Sequence, residues 1–120
     1  MTTDQNSQNK KDVLTALTAV AESTPTTLRA NLSKIYHPDA HWRGSHPWNE
    51  MNGLQAIETG MWSPLLHAFP DLERRDNLVI GGQYEGRDYV GMVGHLVGTF
   101  KREWSGIAPS DKVIYLRYGE

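Results

Sequence analysis

The sequence contains no cysteine. That removes a disulfide framework, a thiolate metal site and a cysteine nucleophile from consideration. It also lacks any apolar run near the roughly 20 residues that a membrane-spanning helix needs. Basic excess is missing too: 12 Lys and Arg stand against 14 Asp and Glu, for a formal net charge of −2. Nucleic-acid and anionic-membrane partners call for a clustered positive surface, so neither is expected. The opening Met1–Asp12 stretch is polar and has no apolar core of a secretory signal, which makes the cytoplasm the default compartment. There is no Gly-rich fingerprint ahead of a helix, no phosphate-binding loop and no Gly-x-Ser-x-Gly elbow.

What remains is an ordinary globular composition, 38% apolar and 22% charged over 120 residues, enough for one domain with one core. Residues 1–11 are small and polar and read as a flexible tail, with a single domain over 12–120. From Asp12, the positions Val13, Leu14, Leu17 and Val20 have helical spacing, ending at Ser23-Thr24-Pro25. Thr24 and Pro25 then open a second helix through Leu28, Leu32 and Ile35 that stops at Pro38. Ala40–Arg43 is a brief strand candidate, and Gly44 to Pro47 reads as a loop. Asn52 followed by Gln55 is a capping-box variant, so a third helix starts near Gly53 and runs through Leu54, Ile57, Met61 and Leu65, with a kink or restart at Ser63-Pro64.

After Pro70-Asp71 the apolar pattern alternates. Leu72–Tyr84 reads as a strand with a bend at Gly81-Gly82, and Glu85–Asp88 as a hairpin connection. A long strand runs from Tyr89 to about Trp104, then a turn over Gly106–Asp111 and a last strand over Lys112–Tyr118. Helices first and antiparallel strands after is an α+β order. Helices on the concave side of a curved sheet would enclose a pocket. Met61–Phe69 would form its apolar floor.

Three stretches resemble the SnoaL-like, or polyketide-cyclase-like, branch of the nuclear transport factor 2-like superfamily. They are His46-Pro47-Trp48-Asn49-Glu50 with Gly53; Trp62 through Phe69-Pro70-Asp71 to Arg75; and Gly94 through Gly98-Thr99-Phe100 to Trp104-Ser105-Gly106-Ile107-Ala108-Pro109. The resemblance covers about residues 25–120. It implies an α+β, cone-shaped, curved antiparallel sheet wrapped around N-terminal helices, with a buried small-molecule pocket and a homodimer formed through the sheet. Better-known members close polyketide rings by an aldol step with an acid–base aspartate and no metal or organic cofactor. In such proteins that aspartate lies on a strand after the segment corresponding to Arg117-Tyr118-Gly119-Glu120. The expectation is therefore that the last strand is missing: either the domain is truncated at its C-terminus or the pocket is completed differently.

Several residues are candidates for chemistry. His95 lies amid apolar strand positions, where an imidazole can move protons near neutral pH; it could equally be a strand histidine bonded to backbone or facing a partner. Asp71 is either the turn-former after Pro70 or an acid at the pocket edge. His95, Asp71 and Arg117 form the catalytic set, with Arg117 or Tyr115 stabilising negative charge. Whether Tyr115 and Arg117 or Ile114 and Leu116 face inward is left open by the pattern. Glu73, Arg74, Arg75 and Asp76 read as solvated ion pairs, although an inward arginine could hold a carboxylate or enolate. Trp42, Trp48, Trp62, Trp104, Tyr115 and His46 are the substrate-binding candidates, Trp62 being the one that suits the core best. His37, Asp39, His41, His46 and Glu50 are metal-capable, but prolines break their spacing and no metal site is assigned. The function that fits is a cofactor-independent cyclase or isomerase acting on an apolar, polyketide-like ligand. The alternative is a non-catalytic binding or dimerisation module, or the first part of a two-domain protein.

Overall fold

A computed structural model describes residues 3–120, the Thr3 side chain excepted. Helix α1 spans Thr3–Ala21 and α2 spans Leu28–Leu32. Strands β1 (His41–Arg43) and β2 (Glu50–Asn52) form an antiparallel hairpin. A helical run follows as α3 (Leu54–Ile57), a π-helical turn (Glu58–Trp62) and α4 (Ser63–Ala68). The chain then enters β3 (Glu73–Tyr84), β4 (Arg87–Thr99) and β5 (Val113–Gly119), a three-stranded antiparallel sheet in the order β3-β4-β5. This is the α+β order read from the sequence, with N-terminal helices and a curved antiparallel sheet. Among the described residues no helix is long and apolar enough to cross a membrane.

The first helix begins at Thr3, within the stretch read as a tail, rather than at Asp12. Two features outside the hydrophobic pattern extend it. Side chains four residues apart bond each other, Gln5 Nε2 to Asn9 Oδ1 at 2.8 Å and Gln8 Nε2 to Asp12 Oδ1 at 2.7 Å. Gln83 Nε2 on β3 also donates to Asn6 Oδ1 at 2.6 Å, so the extension is docked on the sheet. Met1 and Thr2 lie outside the described residues.

The restart expected at Ser63-Pro64 takes the form of a widened turn. The Ser63 N–H bonds the Glu58 carbonyl, five residues back. Pro64, which has no N–H to give, follows this wide turn, and the helical run continues to Ala68 without stopping. Trp62, Leu65, Ala68 and Phe69 are all buried, so the stretch packs into the core as an apolar floor. Leu17 and Val20 of α1, Leu28 and Leu32 of α2, and Met92 and Phe100 complete that core. Phe69 stacks on Phe100 with ring centroids 5.2 Å apart.

Three local readings change. Glu50–Asn52 forms a strand where no element was read, because only pairing with His41–Arg43 gives so short a segment order. The irregularity in β3 sits between Asp76 and Leu78, leaving Asn77 as the extra residue, not at Gly81-Gly82. The hairpin connection shrinks to Glu85 and Gly86, with φ of 50° and 77°, since Arg87 pairs with Tyr84 and Asp88 with Gln83. Both positive φ values match the turn that suits the twist of paired strands.

The Asn77 bulge has a geometric consequence. Alternation before it turns Arg74 and Asp76 toward the helices; alternation after it turns Val79 inward and leaves Leu78 and Ile80 exposed. Phe69 is 1% exposed, and a truncation there leaves a cavity between α4 and the sheet. Phe69→Ala is expected to cost about 3–5 kcal/mol, measured as a drop in the urea midpoint at unchanged slope.

Candidate functional site

The concave side of the sheet, the β1–β2 hairpin and the π-helical turn enclose a cavity of about 460 Å3. That volume falls in the range of small-molecule sites. All four tryptophans of the protein, Trp42, Trp48, Trp62 and Trp104, line it. Met61 and Leu65 supply the helical floor, and Leu96 and Leu116 the sheet wall. The sequence brings the indoles together locally in different ways. Trp42 lies over Gly44, where any Cβ would overlap its ring. Trp104 is held by a two-residue turn, Ser105-Gly106 at φ of 51° and 82°, through mutual N–H···O bonds with Ile107 of 3.1 and 2.9 Å. Its ring sits 5.5 Å from Trp48 and edge-on, at 5.5 Å, to Phe69.

One charged group is set into this apolar wall. The Arg74 side chain is 2% exposed. Its Nη2 donates to Asp76 Oδ1 at 3.1 Å and to Glu120 Oε1 at 3.0 Å, and its guanidinium lies 4.5 Å from the Tyr118 ring centroid. The Tyr118 hydroxyl donates to the same Asp76 oxygen. Asp76, Gly94 and Tyr118 are opposite one another across the three strands, so the phenol reaches its carboxylate over a glycine. A Cβ at Gly94 would meet the Tyr118 hydroxyl at 2.7 Å. Arg74 Nε and Trp104 Nε1 are buried N–H donors with no hydrogen-bond partner among the described residues, and both residues line the cavity. An unpaired buried donor is costly, and each one calls for an explanation, such as a bound molecule that supplies the acceptor. Nearby, Trp62 Nε1 donates to the Tyr36 hydroxyl at 3.4 Å; burial pushes that phenol above its ordinary pKa and keeps it protonated.

The sequence-derived candidates divide on this geometry. Trp42, Trp48, Trp62 and Trp104 lie together on the cavity wall, Trp62 serving core and cavity at once. Tyr115 and Arg117 border the cavity from the edge strand, but their side chains face outward; Ile114, Leu116 and Tyr118 are the inward set. His46 is exposed and is not part of the lining, although Ser45 and Trp48 are.

His95 and Asp71 require correction. His95 sits on the outer face, in a row with Arg75 and Arg117, its ring 6.1 Å from that of Tyr115. Strand parity puts it there: β4 turns Met92, Gly94 and Leu96 inward, and His95 alternates with them. Asp71 lies at the turn after α4, exposed, and outside the cavity. It accepts from the Thr99 N–H and Thr99 Oγ1, each at 2.7 Å, fastening the end of β4 to that turn. Neither an Arg117–Asp71 nor an Arg117–Glu50 pair occurs among the described residues. The Glu73–Asp76 run was also misjudged in part. Glu73 and Arg75 do pair at the surface, at 3.1 Å, while Arg74 is buried. Tyr118 and Glu120 are cavity-lining side chains that the sequence reading passed over, and Arg74 is the inward arginine that it weighed second to surface pairing. The signal for them was the parity across Asp76-Gly94-Tyr118, legible only once the strands are in register. Of the metal-capable loop residues, His41 and Glu50 approach to 3.7 Å, and no group of three suited to a metal ion exists among the described residues.

No family model and no curated protein matches this sequence. Among solved structures it is similar to a protein from Jannaschia sp. CCS1 described as a SnoaL-like polyketide cyclase. The match has a TM-score of 0.64 at 15% identity and covers 90% of this chain and 73% of that one. At that identity the likeness is one of fold, and the fold is the nuclear transport factor 2-like α+β arrangement.

Thr99 bonds hold the Asp71 carboxyl below its ordinary pKa. A group whose folded pKa is depressed stabilises the fold above its unfolded value, and that contribution is lost as pH falls through the folded value. Asp71→Ala is expected to cost about 1 kcal/mol at neutral pH, since the site is exposed. The gap between variant and parent should close below about pH 4, followed by urea denaturation across pH, while ligand uptake by the cavity stays unchanged.

Proposed function

We propose that the protein is a small-molecule enzyme of the cyclase or isomerase kind, moving protons on an apolar, carbonyl-bearing, polyketide-like ligand held in the conical pocket. The observation that carries this reading is Arg74. It is a guanidinium almost removed from solvent, on the wall of a tryptophan-lined cavity, with Nε unpartnered among the described residues. The fold likeness to a protein described as a SnoaL-like polyketide cyclase supports the same reading.

Flat apolar ligands suit the four indoles, which offer stacking faces. A ligand carbonyl set against Arg74 Nε would be polarised by a donor that is already positioned and desolvated. Glu120 lines the same cavity and bonds Arg74 through Oε1. Its carboxylate is the base in this scheme. It takes the proton from the carbon next to the carbonyl; the C–H electron pair becomes the enolate π bond, and the negative charge moves to the oxygen beside Arg74. The enolate carbon then either recovers the proton at another position, which is isomerisation, or attacks a second carbonyl of the same ligand. In the second case Glu120 returns the proton to the new alkoxide. Atoms balance in both cases without a co-reactant. Tyr118, bonded to Asp76, holds Arg74 in place through its ring.

The test uses 1-tetralone, a bicyclic aromatic ketone. Because every tryptophan lines the cavity, binding should quench intrinsic fluorescence saturably. Exchange of its C2 protons in D2O, followed by NMR, reports the base. Arg74→Lys keeps the charge and removes Nε, and should weaken binding about tenfold. Glu120→Gln should leave quenching intact and slow exchange by about 100-fold. Saturable quenching without catalysed exchange would favour a binding module instead, and absence of both would overturn the reading.

A further inference from the structure

Arg74 Nε is one of two buried N–H donors in the cavity wall that have no partner among the described residues, and the proposed enolisation uses only that one. The other is Trp104 Nε1, the one indole N–H that is both buried and unpartnered among the described residues. Trp62 shows the contrast, since its Nε1 donates to the Tyr36 hydroxyl.

The Trp104 indole is held by its backbone and by its neighbours. It sits in the connection between β4 and β5. The base of that connection is closed by the Asp111 N–H on the Phe100 carbonyl at 2.9 Å and by the Lys101 N–H on the Ala68 carbonyl at 2.9 Å. Inside it, Trp104 and Ile107 exchange backbone bonds, and the Gly106 N–H donates to Glu103 Oε1. The rings of Trp48 and Phe69 lie beside the indole, each with its centroid 5.5 Å away. A donor fixed in this way loses little freedom when a ligand meets it.

The same neighbours limit what can satisfy the N–H. A buried water needs roughly two to four polar partners, and these two rings supply none. An indole N–H donates and never accepts, so the group opposite it must be an acceptor. A hydroxyl would bring a donor of its own to be satisfied among aromatic rings. An ionised group would exchange its hydration for one neutral donor. It would also enter a cavity whose Arg74 already bonds the carboxylates of Asp76 and Glu120. A carbonyl or alkoxy oxygen meets neither cost.

We propose that Trp104 Nε1 is a specificity-determining group of this site, and that the ligand is an uncharged ketone with two acceptors: the carbonyl at Arg74 Nε and a second carbonyl or alkoxy oxygen at Trp104 Nε1. The proposal rests on the cavity being the site that enolises a ketone, and it narrows the substrate class. The indole N–H has no protein bond to give up, so the second oxygen adds a bond without breaking one. A ligand of equal size that lacks this oxygen leaves the donor unpaired, which is how such a site discriminates.

The test compares 5-, 6- and 7-methoxy-1-tetralone with the ethyl-1-tetralones substituted at the same positions. Each pair is uncharged and similar in size, and differs in one acceptor oxygen. Fluorescence quenching of the parent protein should show, for at least one position, about tenfold tighter binding of the methoxy compound. Trp104→Phe keeps a ring beside Trp48 and Phe69 and removes the N–H. It should bring that methoxy-to-ethyl ratio to one, and a ratio is insensitive to a general loosening of the cavity. In the nitrogen-15-labelled parent, the indole N–H resonance that is missing from Trp104→Phe should move downfield with the methoxy ligand and stay in place with its ethyl partner. Methoxy and ethyl ketones that bind the parent equally well overturn this inference and leave the proposed function standing. So does a methoxy preference that survives Trp104→Phe. Ketones that do not bind at all overturn both.

Discussion

A guanidinium that is 2% exposed persists in this fold because a phenol and two carboxylates are brought to it from its own strand and from the end of β5. Arg74 comes from the start of β3, Tyr118 from β5, and Gly94 of β4 between them leaves the gap that lets the phenol reach Asp76. Desolvating a charge costs several kcal/mol before any partner is counted. The Asp76 and Glu120 oxygens at 3.1 and 3.0 Å return much of that, and the Tyr118 ring covers the remaining face. Buried ion clusters of this kind add little net stability compared with apolar packing. The cluster is better understood as something the fold supports than as something that supports the fold.

Two backbone irregularities make room for it. The widened turn at Glu58–Trp62 shifts the side chains of the helical run by one residue, so that Met61, Trp62 and Leu65 are all buried and all line the cavity. The bulge at Asn77 resets strand parity, so that Arg74 and Asp76 face the helices without forcing Leu78 to do so. Without it, an uninterrupted alternation from Arg74 and Asp76 would carry Leu78 and Ile80 inward, and the exposed pair would be Val79 and Gly81. The wall of the cavity and the exposure of the outer sheet face thus have one cause.

Much of this was legible from residue patterns. Helices before strands, the restart at Ser63-Pro64, the hairpin near Gly86 and the apolar floor over Met61–Phe69 follow from spacing and turn chemistry, which are local. The tryptophans were legible as a group because large aromatics in a small domain have few places to go. What escaped depends on register. Arg74 looked like one more surface ion pair, since its burial depends on Tyr118, which is 44 positions away and placed by strand pairing alone. The start of α1 escaped for a similar reason: Asn6 is ordered by Gln83, a contact between distant parts of the sequence. Asp71, in contrast, was open to both readings, and its two 2.7 Å bonds from Thr99 decide for the turn.

That decision bears on where proton chemistry can sit. Asp71 is held ionised at an exposed corner, and His95 faces away from the cavity, so neither meets an enclosed ligand. Arg74 and Glu120, in contrast, both line the cavity. With Asp76 and Glu120 ionised the Arg74 cluster carries one net negative charge. In the proposed reaction, transfer of a ligand proton to Glu120 would leave that total unchanged, because the charge lost at the carboxylate would reappear on the ligand oxygen beside the same guanidinium. Charge is moved over a short distance inside one electrostatic environment rather than created in an apolar one. The step therefore avoids most of the desolvation penalty that an isolated carboxylate would meet in a tryptophan-walled cavity.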